Sequence, residues 1–331
     1  MLRCFARDPN RPCLMPGDAS LPAAAPGDQG IVWYDLRDPT AEERAAVEAA
    51  LGLSLPTREE MGEIEISSRL YQEDGGEFMT VTGLAGLDTD EPVKDPITFI
   101  LKGDALVTIR HANPKPFDLF LSRAQKPGGP ATGTGEQVML GILEAMIDRL
   151  ADTLEVAGDE VDALSREIFR KSGPGRRETR NLEALIGRIG RKGDLLTLAR
   201  ESLVSITRMS TYHAALETEG RKPGKDVRGR IKVIQRDVAS LSDHASFLSG
   251  KINFMLDATL GLINLEQAKT IKIFSVAAVI FLPPTVVASV YGMNFEVMPE
   301  LQWRFGYLWA LGVMLASAIV PYLFFKKRGW L

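Results

Sequence analysis

Apolar positions are spread unevenly along this chain. Two runs near the C-terminus contain no charged residue, Ile273–Tyr291 (19 residues) and Phe305–Phe325 (21 residues). A helix of 19 residues extends about 28 Å, close to the roughly 30 Å hydrocarbon core of a bilayer. Both runs are expected to cross a membrane, joined by the short connection 292–304. A buried hairpin of a soluble protein is the bland alternative, but soluble cores seldom hold two such runs so close together. Lys269 and Lys272 precede the first run, and Lys326, Lys327 and Arg328 follow the second. The connection carries Arg304 against Glu296 and Glu300. Because basic residues stay on the cytoplasmic side, both termini are expected inside and the connection outside, in a cell (inner) membrane.

Upstream, apolar residues recur at helical spacing from about Gly229 through Ile231, Ile234, Val238, Leu241, Leu248, Ile252 and Leu256, with no proline before Pro283. One helix over 229–291 is therefore expected, a stalk (229–272) continuing into the first span (273–291). Stepping by three or four from Asp257 gives Gly261, Asn264, Ala268, Ile271, Phe274 or Ser275, Ala278, Leu282, Thr285 and Ser289. A seam with a repeat near 3.5 is what a bundle presents to its own axis. Small residues on a membrane helix also serve close helix packing. Pro283-Pro284 removes two backbone donors at mid-span, and backbone freed at that depth is tolerated where it faces protein or a water-filled cavity. Thr285 and its neighbouring serines can instead satisfy their own helix.

At the end of the first span stand Tyr291-Gly292-Met293-Asn294-Phe295, then Glu296-Val297-Met298-Pro299-Glu300-Leu301. Gly and Asn readily adopt left-handed backbone, so Gly292 and Asn294 are expected to end the helix. Asn294 offers an uncharged oxygen. Magnesium sheds its waters reluctantly, so a ring of amide and carbonyl oxygens can hold the hydrated ion. Glu296 and Glu300 would draw cations to the mouth.

With Ile271–Ala278, Phe281-Leu282-Pro283-Pro284-Thr285 and the tail Phe325–Leu331, this segment resembles the CorA family of magnesium transporters, whose signature is Gly-Met-Asn at the outer end of the first of two C-terminal spans. The resemblance implies a homopentameric funnel with an αβα N-terminal domain, a pore lined by the long helix, and the second span outside it. It implies a selectivity ring of Gly292, Met293 and Asn294, a polar ring at Thr285, hydrophobic constrictions at Leu282 and Phe274, with Ile271 and Ala278 also lining the pore, and an acidic ring at Asp257. Members often carry Asn where Ala268 stands, so one polar ring is missing here. Magnesium is the implied transported and regulatory ion, with cobalt and nickel by analogy. Carboxylates binding magnesium between subunits would close the pore, and Asp74 and Asp237 are the candidates.

Residues 1–126 alternate strand and helix patterns. Ile31–Leu36 reads as a strand before a helix capped near Thr40, and Thr57-x-x-Glu60 is a capping box. Ser68–Gln72 with Phe78–Leu84, and Ile97–Leu101 with Ala105–Arg110, read as hairpins. A Gly/Pro/Thr linker, 127–135, precedes helices near 136–171 and 177–218 within 136–228, and 326–331 forms a basic tail. The segment Asp148–Glu167 carries seven acidic residues against two arginines, a pattern expected on a solvated face.

Charge is nearly balanced, at a formal net of −4 over 331 residues, which gives no footing for nucleic acid. Cys4 and Cys13 lack partners at zinc spacing and are expected as reduced thiols. The first residues lack the apolar stretch of a signal peptide. Pro127-Gly128-Gly129 lacks the Lys-Ser/Thr of a phosphate loop, and His111, His213 and His244 are expected to be solitary structural residues. No enzyme and no cofactor are expected. Two readings compete with magnesium influx: a zinc transporter of the same superfamily, disfavoured by Met298–Leu301, and a membrane-tethered sensor without transport.

Overall fold

The computed structural model describes residues 1–7, 14–16, 30–89, 91–126, 128–169, 182–219, 225–294 and 298–328. The chain divides into two units, Met1–Met255 and Leu256–Leu331.

Seven strands form one mixed sheet in the first unit: β1 (Leu2–Arg7), β2 (Leu14–Pro16), β3 (Ile31–Arg37), β4 (Leu70–Glu73), β5 (Gly76–Ala85), β6 (Val93–Lys102) and β7 (Ala105–Arg110). Their order is β2-β1-β3-β7-β6-β5-β4, and only β3 and β7 run parallel. Hairpins build the β4–β7 half. Asp74 and Gly75 both take positive φ, 50° and 72°, in the two-residue turn between β4 and β5, where Asp-Gly is favoured. Tyr71 stacks on Phe78 across that pair at 4.7 Å between centroids. β1, β2 and the early start of β6 were not expected, and Ser68 and Arg69, read as strand, lie in a short helix.

One face of the sheet carries α1 (Ala41–Leu51), whose Val47 and Leu51 pack with Tyr34, Leu36, Phe78, Ile100 and Val107. Thr40 caps α1 and Thr57 caps α2 (Arg58–Met61), each with the reciprocal bond from the Glu three residues on. A short α3 (Ile66–Arg69) follows. The other face carries α4 (Lys115–Ala124), α5 (Gly135–Phe169) and α6 (Leu182–Glu219). Trp33 is buried there against Phe5, Phe117 and Phe120. Removing an aromatic as fully enclosed as Phe117 is expected to cost about 3–5 kcal/mol. The layers are helix, sheet, helix.

Two local features seat the long helices. A Cβ on Gly135 would lie 2.4 Å from the Leu106 amide nitrogen, so only glycine lets α5 begin so close to the β6–β7 hairpin. The ladder from β4 ends at Met79, and beyond it α6 takes over the edge of β5: Ser202 Oγ donates to the Thr82 carbonyl at 2.7 Å and Ser205 Oγ accepts from the Thr82 amide at 2.9 Å. The last helix begun in this unit is α7 (Lys225–Tyr291), which starts ahead of the Gly229 expected.

A charged pair lies inside this unit. Asp35 and Arg110 are both 0% exposed and bond bidentately, at 3.0 and 2.9 Å. Thr108 and Arg3 also donate to Asp35, and the Arg110 guanidinium lies over the Phe117 ring. Burial alone would raise the Asp35 carboxyl, but Arg110 and then Arg3 outweigh it and hold it below the usual carboxylate range.

The second unit contains the rest of α7, a 3₁₀ turn (Pro299–Gln302) and α8 (Gly306–Lys327). The two uncharged runs lie in α7 and α8, long and apolar enough to cross a membrane, with little of either covered by the rest of the chain.

Candidate functional site

The helical seam starting at Asp257 is exposed along its whole course. Asp257, Gly261, Asn264, Ala268, Ile271, Phe274, Ala278, Leu282, Thr285 and Ser289 all face away from the covered side of α7, which includes Thr259 and Val276. Phe274 and Leu282 are 71% and 64% exposed. Large apolar side chains this open on one chain need lipid or another protein surface around them. The pattern follows from the sequence, because a step of three or four keeps residues on one face.

Pro283 and Pro284 leave the helix unbroken, but they deprive the Val279 and Ile280 carbonyls of their donors. Thr285 Oγ1 donates to the Phe281 carbonyl at 2.8 Å. That hydroxyl is therefore engaged by its own helix through its proton, while its lone pairs stay open.

The helix ends at Tyr291, where expected, but not with the left-handed cap that Gly292 and Asn294 could supply. Neither Gly292 nor Asn294 takes a positive φ, so no left-handed residue terminates α7. Instead the last turn tightens: the Gly292 amide donates to Ala288 and Ser289, and the Met293 amide to Val290 at 3.3 Å. Gly292, Met293 and Asn294 are exposed just past the helix end. Glu296 lies outside the described residues, and Glu300 lies in the 3₁₀ turn. Trp303 and Trp309 stand 6.3 Å apart at the start of α8, and at its other end Lys326 lies over Tyr322 and Arg328 over Phe324. Aromatic and basic residues at these levels are typical of membrane interfaces.

In the first unit, Asp74 is accounted for by its turn. Asp237, on α7, pairs with Arg236 at 3.1 Å and also lies near the acidic face of α5. There the Asp148 carboxyl is raised by partial desolvation, slight for a side chain that is 69% exposed, and by the like charges of Asp152, Glu144 and Asp237, against the opposing charge of Arg123. The acidic stretch of α5 is solvent-facing, as expected, with Asp148, Asp152, Glu155, Asp159, Glu160 and Glu167 all exposed, and ion pairs run along it. Arg149 pairs with Asp88, Asp162 with Lys251, Glu160 with Lys192, and Glu167 with Arg188 at 2.7 Å. Among the described residues, no group of three or more His, Cys, Asp or Glu is arranged to hold a metal ion.

His213 is not solitary. It is 5% exposed and lies between two carboxylates, with Nδ1 3.0 Å from Glu77 on β5 and Nε2 3.0 Å from Glu136 on α5. Burial works against its charge, but the hydrogen bonds it donates to Glu136 and Glu77 win and raise it to about 9. His111 also has a neighbour, Asp38, at 3.2 Å. Sequence could not reveal the triad, because its members are separated by 77 and 136 positions.

The family model described as "CorA-like Mg2+ transporter protein" matches residues 28–327. The chain is 35% identical to the magnesium transport protein CorA of Escherichia coli (strain K12), over 331 residues and all of both chains. It is 34% identical to the protein of the same name from Yersinia pseudotuberculosis, covering 91% of this chain and 92% of that one. In fold it is similar to the complete CorA magnesium transporter of Methanocaldococcus jannaschii, with a TM-score of 0.76 at 17% identity over 100% of this chain and 99% of that one. The full-length CmaX protein follows with a TM-score of 0.69 at 14% identity, covering 99% of this chain and 97% of that one.

Proposed function

The chain belongs to the CorA-like Mg2+ transporter family, and from that premise we propose that it carries magnesium across a membrane through a pore built by several copies of α7. The observation that carries this reading is the exposed seam from Asp257 to Ser289, which leads to Gly292-Met293-Asn294. A single chain leaves that seam open. A ring of chains, a pentamer by family, turns it inward.

In this reading Asn294, with the carbonyls of Gly292 and Met293, forms a ring of uncharged oxygens that accepts hydrogen bonds from the waters of a hydrated ion. Glu296 and Glu300 raise the local cation concentration at the mouth. Thr285 offers its lone pairs lower down, and the Val279 and Ile280 carbonyls are further acceptors at that depth. Leu282 and Phe274 are the gate, because apolar constrictions expel water and block an ion that keeps its shell. Ile271 and Ala278 line the same conduit, and Asp257 supplies an acidic ring beyond it. The inside-negative potential drives entry at about 2.3 kcal/mol per charge per 100 mV, twice that for a divalent ion. Both termini lie in the cytoplasm, where Asp237 beside the acidic face of α5 is a regulatory carboxylate and Asp74 a second. Cobalt and nickel, of like charge, share the path.

The test is uptake into proteoliposomes holding a magnesium-sensitive dye. The wild-type protein is expected to conduct and Asn294→Ala, which removes the amide from every copy in the ring, to conduct at least about tenfold less, since even one charge-assisted hydrogen bond is worth about that factor. Undiminished flux in the variant removes Asn294 from the filter. A wild-type protein that passes zinc in preference to magnesium, or passes nothing, overturns the assignment of the ion or of transport itself.

A further inference from the structure

A cleft of about 720 Å³ opens in the Met1–Met255 unit between α6 and the edge of the sheet at β5 and β6. That is within the roughly 300–1,000 Å³ typical of small-molecule sites. One wall is a face of α6 with Arg200, Val204 and Arg208. The two arginines are eight residues apart, about 12 Å along the helix. Opposite them are Arg69, at the end of α3, and Lys94 on β6.

The charges do not cancel. Asp95, 6% exposed, is occupied by the amides of His111 at 2.9 Å and Ala112 at 2.7 Å. Glu201 pairs with Lys94 at 3.1 Å. Among the described residues, Arg69, Arg200 and Arg208 have no carboxylate partner within ion-pair distance; Arg69 donates to the Glu63 carbonyl at 2.5 Å and reaches the Thr82 hydroxyl at 3.5 Å. The bonds from Ser202 and Ser205 to Thr82 fix α6 against the strand, so the spacing between the walls is set by the fold. Ile64, 88% exposed, and Pro96 add apolar surface at the rim.

We propose that this cleft binds a polyphosphate anion of nucleoside-triphosphate size. Guanidinium groups present paired donors that match phosphate oxygens, and three of them on facing walls suit a ligand with several negative charges in a row. Ile64, Val204 and Pro96 give a base or sugar an apolar surface to rest on. A bound magnesium ion would neutralise two of the ligand's charges, so the cleft favours the metal-free form.

The experiment is calorimetric titration of the full chain in detergent micelles with four probes: inorganic tripolyphosphate, adenosine triphosphate with a chelator, the same nucleotide with excess magnesium, and adenosine monophosphate. The first two are expected to bind with an affinity that falls as salt rises, and excess magnesium and the monophosphate to weaken binding about tenfold. Arg200→Gln with Arg208→Gln is expected to weaken the first two about tenfold, and Arg208→Gln alone to act in the same direction if the double variant does not fold. Tighter binding of the nucleotide than of tripolyphosphate assigns the ligand as a nucleotide; the reverse assigns it as inorganic polyphosphate. No binding of either at millimolar concentration, or binding unchanged by the arginine substitutions, overturns the proposal.

Discussion

Replacing His213 by Gln removes the only group of the buried triad that becomes cationic, and the structure fixes how the cost must vary with pH. In the folded chain the imidazole titrates at about 9, against 6.5 for an unperturbed histidine, because Glu136 and Glu77 flank it. A raised folded value means that the folded state holds its proton more tightly than the unfolded state. The stabilisation is therefore complete below pH 6.5, declines between 6.5 and about 9, and is gone above that. A rise from 6.5 to about 9, converted at about 1.36 kcal/mol for each tenfold change in proton affinity, amounts to roughly 3 kcal/mol. The side chain is 5% exposed, so solvent screening takes little of this away. The assay is thermal unfolding of wild type and His213→Gln in the same detergent from pH 6 to about 10. The quantity read is the gap between the two melting temperatures, in which titrating groups away from the Glu77–His213–Glu136 cluster cancel. A gap that is wide at pH 6 and closes by about pH 9.5 is the expected result. A gap that stays constant, or widens with pH, refutes the assignment of a charged imidazolium at this position.

Arg110→Met is expected to cost about 3 kcal/mol, near the low end for breaking a buried pair because Arg3 still reaches Asp35, and Asp35→Leu with Arg110→Met to recover part of the loss; unfolding midpoints of the three proteins decide. Burial pushes the Cys4 thiol up to about 11, so in a Cys13→Ser background iodoacetamide at pH 8 should leave the native protein unmodified and label it in denaturant, as read by mass spectrometry. The Asn294→Ala flux measurement described above is expected to leave the melting temperature unchanged, since that side chain is exposed.

Local features were legible wherever the chemistry is local. Thr40 and Thr57 announce their caps because the box spans only four residues, and the Asp74-Gly75 turn announces its hairpin for the same reason. The spans show as uncharged runs long enough to cross a bilayer, and the seam as a step of three or four, so length and spacing locate them. β1 and β2 were missed because Leu2–Arg7 interleaves arginines with apolar residues and Leu14–Pro16 has only three positions. The left-handed cap expected of Gly292 and Asn294 is absent because a tightened last turn satisfies the same carbonyls. The His213 triad and the arginine cleft join β5, α5, α6 and α3, and only the folded backbone brings them together.

Turns dictate how β4 through β7 align, since each hairpin lets its neighbour start in only one place. No such constraint acts between β3 and β7, parallel neighbours separated by 73 positions between Asp35 and Thr108. A slip of one residue there would exchange the two faces of the strand and leave a guanidinium among aliphatic side chains and a carboxylate without its donors. The Asp35–Arg110 pair therefore works as a register mark. It makes every misaligned pairing of the central strands costly, so the sheet can close in only one alignment.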